Sequence, residues 1–220
     1  MQQSLSSPSP RTPPHTPWLL VEEIEHRVAN EFSMAMSSIS LAAARSSSPE
    51  VKAALAGTAR RLQDFACVHR SLQPPRAGAL VNLSDYLEQL CESLVRARLK
   101  ERGIRLTLVT QDMEIAPERC WRVGLILSEL ITNSVRHAFL SPGGTIAVEI
   151  QSAEGVVQCL VSDNGRSTAG ASPGRGTRIV DALAGELGGS VWREFNSEGT
   201  TVLLMFPETV ACISSSIQDA

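Results

Sequence analysis

Apolar residues recur every three or four positions from Trp18 onward, at Leu20, Ile24, Val28, Phe32, Met36, Ile39 and Ala43. That spacing keeps one face of a helix apolar for about six turns. Ser46-Ser47-Ser48 ends the pattern, and Pro49 restarts it on a second helix with Val51, Leu55, Leu62, Phe65, His69 and Leu72, stopped by Pro74-Pro75. Two such helices predict an antiparallel hairpin. A hairpin this thin cannot cover both stripes by itself, so a second copy of the chain is expected to complete a four-helix bundle.

After a Pro/Gly linker over 73–79 the periodicity becomes mixed. A capped helix is expected from Ser84 until Gly103 stops it, and IRLTLVT at 104–110 alternates as a strand. A long helix follows from about Pro117 to Phe139. TIAVEIQS (145–152) and VVQCLVS (156–162) read as a strand pair, and a Gly-rich segment at 165–176 leads to a helix opening at Thr177 and ending near Gly188-Gly189. SVWREF and TTVLLMF make a second hairpin around NSEG. Helices gathered on one face of a mixed, mainly antiparallel sheet define an α+β sandwich. The expected division is a disordered leader at 1–17 rich in Pro and Ser, the helical hairpin at 18–73, the sandwich at 80–207 and a tail at 208–220.

Composition narrows the partners. The 220 residues are 43% apolar and 20% charged, an ordinary globular balance. A net charge of −3 gives no field for a polyanion, and 4% aromatics leave few stacking platforms, which argues against nucleic acid. The five cysteines, Cys67, Cys91, Cys120, Cys159 and Cys212, are scattered and form no C-x-x-C pair, so a reducing cytoplasm is expected. No run of apolar residues is long enough to span a bilayer, and the N-terminus lacks signal-peptide order, so no membrane role is expected.

Several polar residues sit where packing does not require them. His26 lies about 160° in azimuth from Ile24 and so faces away from the stripe, with Glu22 and Asn30 one turn to either side on its own face. Glu129, Asn133 and His137 follow at intervals of four, about 40° apart on one helical face. That triple is either a solvated face or a platform for metal and phosphate, on which the Asn133 oxygen can ligate Mg²⁺. Asp163 ends an apolar strand in VSDNG, with Gly165 beyond it. The segment is either a plain turn or a carboxylate set to accept the exocyclic amine of adenine. Gly174-Arg175-Gly176 opens a helix, and the backbone amides of such an end bind phosphate.

Taken in order, these segments resemble one family. His26, Arg27 and Asn30 match the H-R-x-x-N dimerisation helix of one group of sensor histidine kinases (HWE/HisKA-like). VHRSL (68–72), NLSDYLEQL (82–90), GLILSELITNSVRHAF (124–139), VSDNG (161–165), GRGTRIV (174–180), Leu-Gly-Gly (187–189) and Gly199-Thr200 are similar to further segments of that group. The resemblance runs over about residues 18–207. It implies a GHKL-type (Bergerat) ATP-binding domain, with ATP and Mg²⁺ as cofactors. Autophosphorylation would fall on His26, followed by transfer to an aspartate on a response-regulator receiver domain. On this resemblance Asn133 holds the metal, Glu129 serves as base or water-positioning group, Arg136 and His137 face the phosphates and Asp163 selects adenine. Gly165, Gly174, Gly176 and Thr200 line the nucleotide. A homodimer is implied, and a sensor protein acting in trans would supply the input.

The sequence also departs from the family. Ser167 stands where a second glycine is usual, residues 166–173 make a very short nucleotide lid, and Ala29 and Glu31 replace the usual lysine and asparagine. The tryptophan-x-glutamate signature of HWE-type kinases is not in its expected place, since Trp192-Arg193-Glu194 belongs to a later strand. Two alternatives therefore stand beside the kinase. One is a histidine phosphotransferase or response-regulator phosphatase with a degenerate ATP site. The other is an anti-sigma-type serine kinase, which would need no histidine-bearing hairpin.

Overall fold

Ser48 and Pro49 turn the chain from its first helix into its second. The structure, a computed structural model, describes residues 16–75, 78–139, 141–166 and 174–208, except the side chains of 16–22 and 25. Residues 1–15 of the expected leader, the tail beyond 208 and residues 167–173 of the expected lid lie outside that description, while residues 16 and 17, expected in the leader, already belong to the first helix. Helix α1 spans Thr16–Arg45 and α2 spans Pro49–Ser71. The Ser48 hydroxyl accepts from the Val51 N–H at 3.3 Å, and proline fills the first helical position, where a missing N–H loses no bond.

The two helices meet along the expected stripes. Val28, Phe32, Met36, Ile39 and Ala43 are half-buried against α2, and the Phe32 and His69 rings lie 6.0 Å apart. His69 is thus a packing residue. One chain covers its stripes only in part, for Ile24 is still 57% exposed, and Val51 and Phe65 are exposed as well.

Helix α2 continues into the rest of the molecule without a gap. Val68 joins the main core, the Ser71 and Ser93 hydroxyls share a hydrogen bond of 2.9 Å, and the Trp121 indole N–H donates to the Leu72 carbonyl at 2.8 Å. Strand β1 (Val81–Asn82) precedes α3 (Leu83–Leu94). The cap of α3 is Asn82, whose side chain accepts from the Asp85 N–H at 3.1 Å. The expected start at Ser84 is one residue late, because Ser84 is buried and turned toward the Thr110 hydroxyl. A wider π-helical turn at Val95–Leu99 and a 3-10 turn at Lys100–Arg102 extend α3 until Gly103, at φ +65°, ends it as expected.

The main sheet comprises β2 (Ile104–Thr110), β4 (Gly144–Ala153), β5 (Val156–Asp163), β6 (Ser190–Asn196) and β7 (Gly199–Pro207), in spatial order β2-β4-β5-β7-β6. Between β2 and β4 the chain forms β3 (Glu114–Ile115), paired with β1, and α4 (Pro117–His137). That crossover allows β2 and β4 to run parallel, whereas every other pair in the sheet is antiparallel. Helix α5 (Arg175–Glu186) fills the connection from β5 to β6. One sheet face, carrying Ile146, Val148, Val157, Cys159, Val161, Val202, Leu204 and Phe206, packs on Leu87, Leu90, Leu94, Ile126, Leu127, Ile131 and Val180 of the helices. The fold is the mixed α+β arrangement expected. Among the described residues no helix is long and apolar enough to cross a membrane.

Three cysteines belong to this core, and burial pushes the thiols of Cys91, Cys120 and Cys159 from 9.0 up to about 12. The unfolded chain therefore releases these protons at lower pH than the folded one, so the contribution of these thiols to stability is constant below about pH 9 and falls between about pH 9 and 12. Each pH unit in that window removes about 1.4 kcal/mol per thiol. Thermal unfolding followed from pH 8 to 11 should show this fall, and Cys159→Ala should make it shallower.

Candidate functional site

Helix α4 is amphipathic. Ile126, Leu127, Leu130 and Ile131 are buried in the core, and the four-residue spacing leaves Glu129, Asn133 and His137 on a partly open face. The end of this helix is anchored from outside, because the Arg102 guanidinium donates to the carbonyls of Val135 and of Phe139, the latter at 2.9 Å. A cation on the last carbonyls offsets the negative end of the helix dipole and holds Asn133 to His137 in place.

Asp163, the last residue of β5, is only 8% exposed. One carboxylate oxygen accepts from the Gly165 N–H at 3.1 Å and the Thr200 N–H at 3.3 Å, and the other from the Ser134 hydroxyl at 2.7 Å. Three donors occupy three of the roughly four lone-pair sites of a carboxylate, leaving one for a further donor. Gly199 makes the geometry possible. Its φ of +145° suits glycine, and any side chain there would run into the Asp163 carbonyl oxygen.

A cavity of about 570 Å³ lies over these groups. Its walls include Glu129, Asn133, Arg136 and His137 from α4, Asp163 from β5, Gly174 and Gly176 from the start of α5, and Thr200 from β7. Eight residues singled out in the sequence, far apart along the chain, thus face one space. Gly176 packs so closely on α4 that a Cβ there would strike the Glu129 carboxylate and approach the Asn133 amide nitrogen to 3.4 Å. Gly165 is not among the described residues that line the cavity; its N–H donates to the Asp163 carboxylate, and a Cβ there would strike Ala138.

The other candidates, His26, Arg27 and Asn30, lie outside the cavity and are exposed on α1. Arg27 is engaged by Glu23 of the same helix at 2.7 Å. His26 lies six residues, about 9 Å, toward the start of α1 from Phe32. Because Phe32 meets His69 near the end of α2, His26 sits at the end of the hairpin from which the chain passes to the sandwich.

Ser134, Asp181, Arg193 and Phe195 also belong to the site and were not singled out from the sequence. Ser134 is next to Asn133 but points to the strand side of α4, a direction that only the docked sheet makes useful. Arg193 and Phe195 could have been placed by strand alternation, since both share the inner face with Val191, opposite Trp192.

Comparison with known proteins agrees with this geometry. Residues 23–98 match the family described as "Histidine kinase", and residues 96–206 match "Histidine kinase-like ATPase domain". The chain is 26% identical over 196 residues to the sensor histidine kinase PdtaS of Mycobacterium tuberculosis, covering 85% of this chain and 39% of that protein. It is 24% identical to blue-light-activated histidine kinase 1 of Erythrobacter litoralis, covering 86% of this chain and 52% of the relative. It therefore spans about two-fifths to half of these relatives. Among solved structures, the histidine kinase domain of the Erythrobacter litoralis EL346 blue-light activated kinase matches with a TM-score of 0.56 at 22% identity, over 86% of this chain and 90% of that one. A bacterial phosphotransferase shares the fold with a TM-score of 0.59 at 12% identity, over 88% and 98%. An exposed histidine on a helical hairpin, joined to a sandwich whose cavity gathers Glu129, Asn133 and Asp163, is thus matched along nearly its whole length, and the chain belongs to the histidine kinase family.

Proposed function

We propose that the chain is an ATP-dependent protein-histidine kinase, which phosphorylates itself on His26 and passes the phosphoryl group to a response-regulator aspartate. The observation that carries this reading is the cavity that brings Glu129, Asn133, Arg136, His137 and Asp163 together. The residues fit the nucleotide, since Asp163 has an acceptor site to spare for an exocyclic amine and Gly176 keeps the cavity wall at backbone distance from α4. They also fit Mg²⁺. Among the described residues no group of three or more His, Cys, Asp or Glu could cage a metal, and Mg²⁺ needs little more than the Asn133 oxygen beside substrate phosphates and water.

Bound ATP-Mg²⁺ supplies a γ-phosphoryl group whose transfer depends on positioning and charge neutralisation. Arg136 and His137, both exposed at the end of α4, face the phosphates and offset their charge. A ring nitrogen of His26 forms the N–P bond as the bond to the ADP oxygen breaks, and the proton on the other nitrogen is released. Glu129 acts there as base or positions water, and Asn30 orients the ring. The partly covered stripes of α1 and α2 support a homodimeric four-helix bundle over residues 18–73, with residues 80–207 as the ATP-binding domain.

Incubation with labelled ATP and Mg²⁺ tests the reading, with acid-labile label on the chain as the expected result. An unlabelled chain that instead accepts phosphate from a phosphorylated receiver domain would overturn it in favour of a phosphotransferase. Gly176→Ala is expected to slow labelling about tenfold or more, with Tm shifting by less than about 2 °C, because the added methyl group displaces only the mobile end of Glu129. Initial labelling rates and thermal melts of the variant measure both.

A further inference from the structure

The sheet side of the cavity is built from two register rows. Asp163 pairs with Thr200 and Thr200 with Phe195, while Val161 pairs with Val202 and Val202 with Arg193. All six line the cavity. With strands about 4.8 Å apart, Phe195 stands about 10 Å across the floor from Asp163. The cavity therefore continues past the carboxylate to the edge strand β6, beneath α5. Arg193 bonds Asp181 of α5 at 2.7 Å, which ties the helix to the edge strand and sets the width of this end.

Phe195 is unusual in that position. It lies on the inner, helix-facing side of the sheet yet remains 53% exposed, and it is the only phenyl ring among the described residues that line the cavity. Leaving an aromatic ring half in water forgoes the burial that would otherwise stabilise it, and a flat heterocycle laid on it would restore that burial. Asp163 supplies the hydrogen-bonding end of such a site and Phe195 an apolar, aromatic end in the same row.

We propose that Phe195 is a specificity-determining residue which contacts the purine nucleoside whose amine is held by Asp163, and that the Arg193–Asp181 pair positions it by holding α5 against β6. This rests on the ATP reading above and adds to it a contact on β6. Trp192, 50% exposed on the same strand, pairs with Leu203 on the opposite sheet face and serves as the control.

The test is a titration of the full chain with a non-hydrolysable ATP analogue and Mg²⁺. Phe195→Ala is expected to weaken binding about tenfold, the scale of a lost aromatic–base contact, and Phe195→Tyr by less than about threefold. Trp192→Ala should bind as the wild type does. In Phe195→Trp, the analogue should change tryptophan emission beyond any change in the parent. Wild-type affinity in Phe195→Ala, or equal weakening in Phe195→Ala and Trp192→Ala, overturns the assignment while leaving the ATP reading intact. Failure of the wild type itself to bind the analogue removes both.

Discussion

His26→Gln is expected to abolish acid-labile labelling while ATP-analogue affinity stays within about twofold of wild type and Tm within about 2 °C. The ring is exposed on α1 and outside the nucleotide cavity, so its replacement creates no void in the core and removes no wall of the site. Glutamine preserves bulk and hydrogen bonding but has no nucleophilic ring nitrogen. The loss should therefore be total for phosphoryl transfer and negligible for binding. The combination separates a phosphoacceptor from a structural histidine such as His69, which packs on Phe32. Persistent label in His26→Gln would assign the acceptor elsewhere.

Asp163→Ala should lose ATP-analogue binding by about a hundredfold or more and lower stability by about 3 kcal/mol. The carboxylate is buried and takes hydrogen bonds from the Ser134 hydroxyl and the Gly165 and Thr200 N–H groups, so truncation strands three donors together. Asp163→Asn separates the two effects. It preserves shape but replaces one acceptor oxygen with an N–H donor facing groups that already donate, so binding should fall about as far with a smaller loss of stability. Calorimetric titration and urea unfolding measure the two quantities. Wild-type affinity in Asp163→Asn would remove Asp163 from nucleotide recognition.

Local signals located the elements well. The strand at 104–110 coincides with β2, and the residue types at Ser48-Pro49 and Gly103 set a helix start and a helix end through their own backbone chemistry. The error at the start of α3 has a physical origin. Asn82 and Ser84 are both good caps, and the choice fell to Asn82 because Thr110, distant in sequence, draws Ser84 inward. The two-residue strands β1 and β3 carry no periodicity and exist through pairing with each other.

Candidate residues followed the same division. Glu129, Asn133 and His137 are aligned by helical spacing alone, and Asp163 with Gly165 by the end of a strand, because each relation spans a few residues of regular backbone. The meeting of Glu129, Asn133, His137 and Asp163 around one cavity depended on the parallel β2–β4 crossover and on Gly176 and Gly199 permitting close approach, which no local pattern encodes. The roles of Ser134, Arg193 and Phe195 likewise arise from packing between distant elements. The sequence by itself thus determined the helices, the five strands of the main sheet and the outward-facing histidine, since these depend on backbone periodicity and neighbouring side chains. Tertiary structure alone decided the cavity, because its walls come from five elements, α4, β5, α5, β6 and β7, held in register by the sheet and by one buried core.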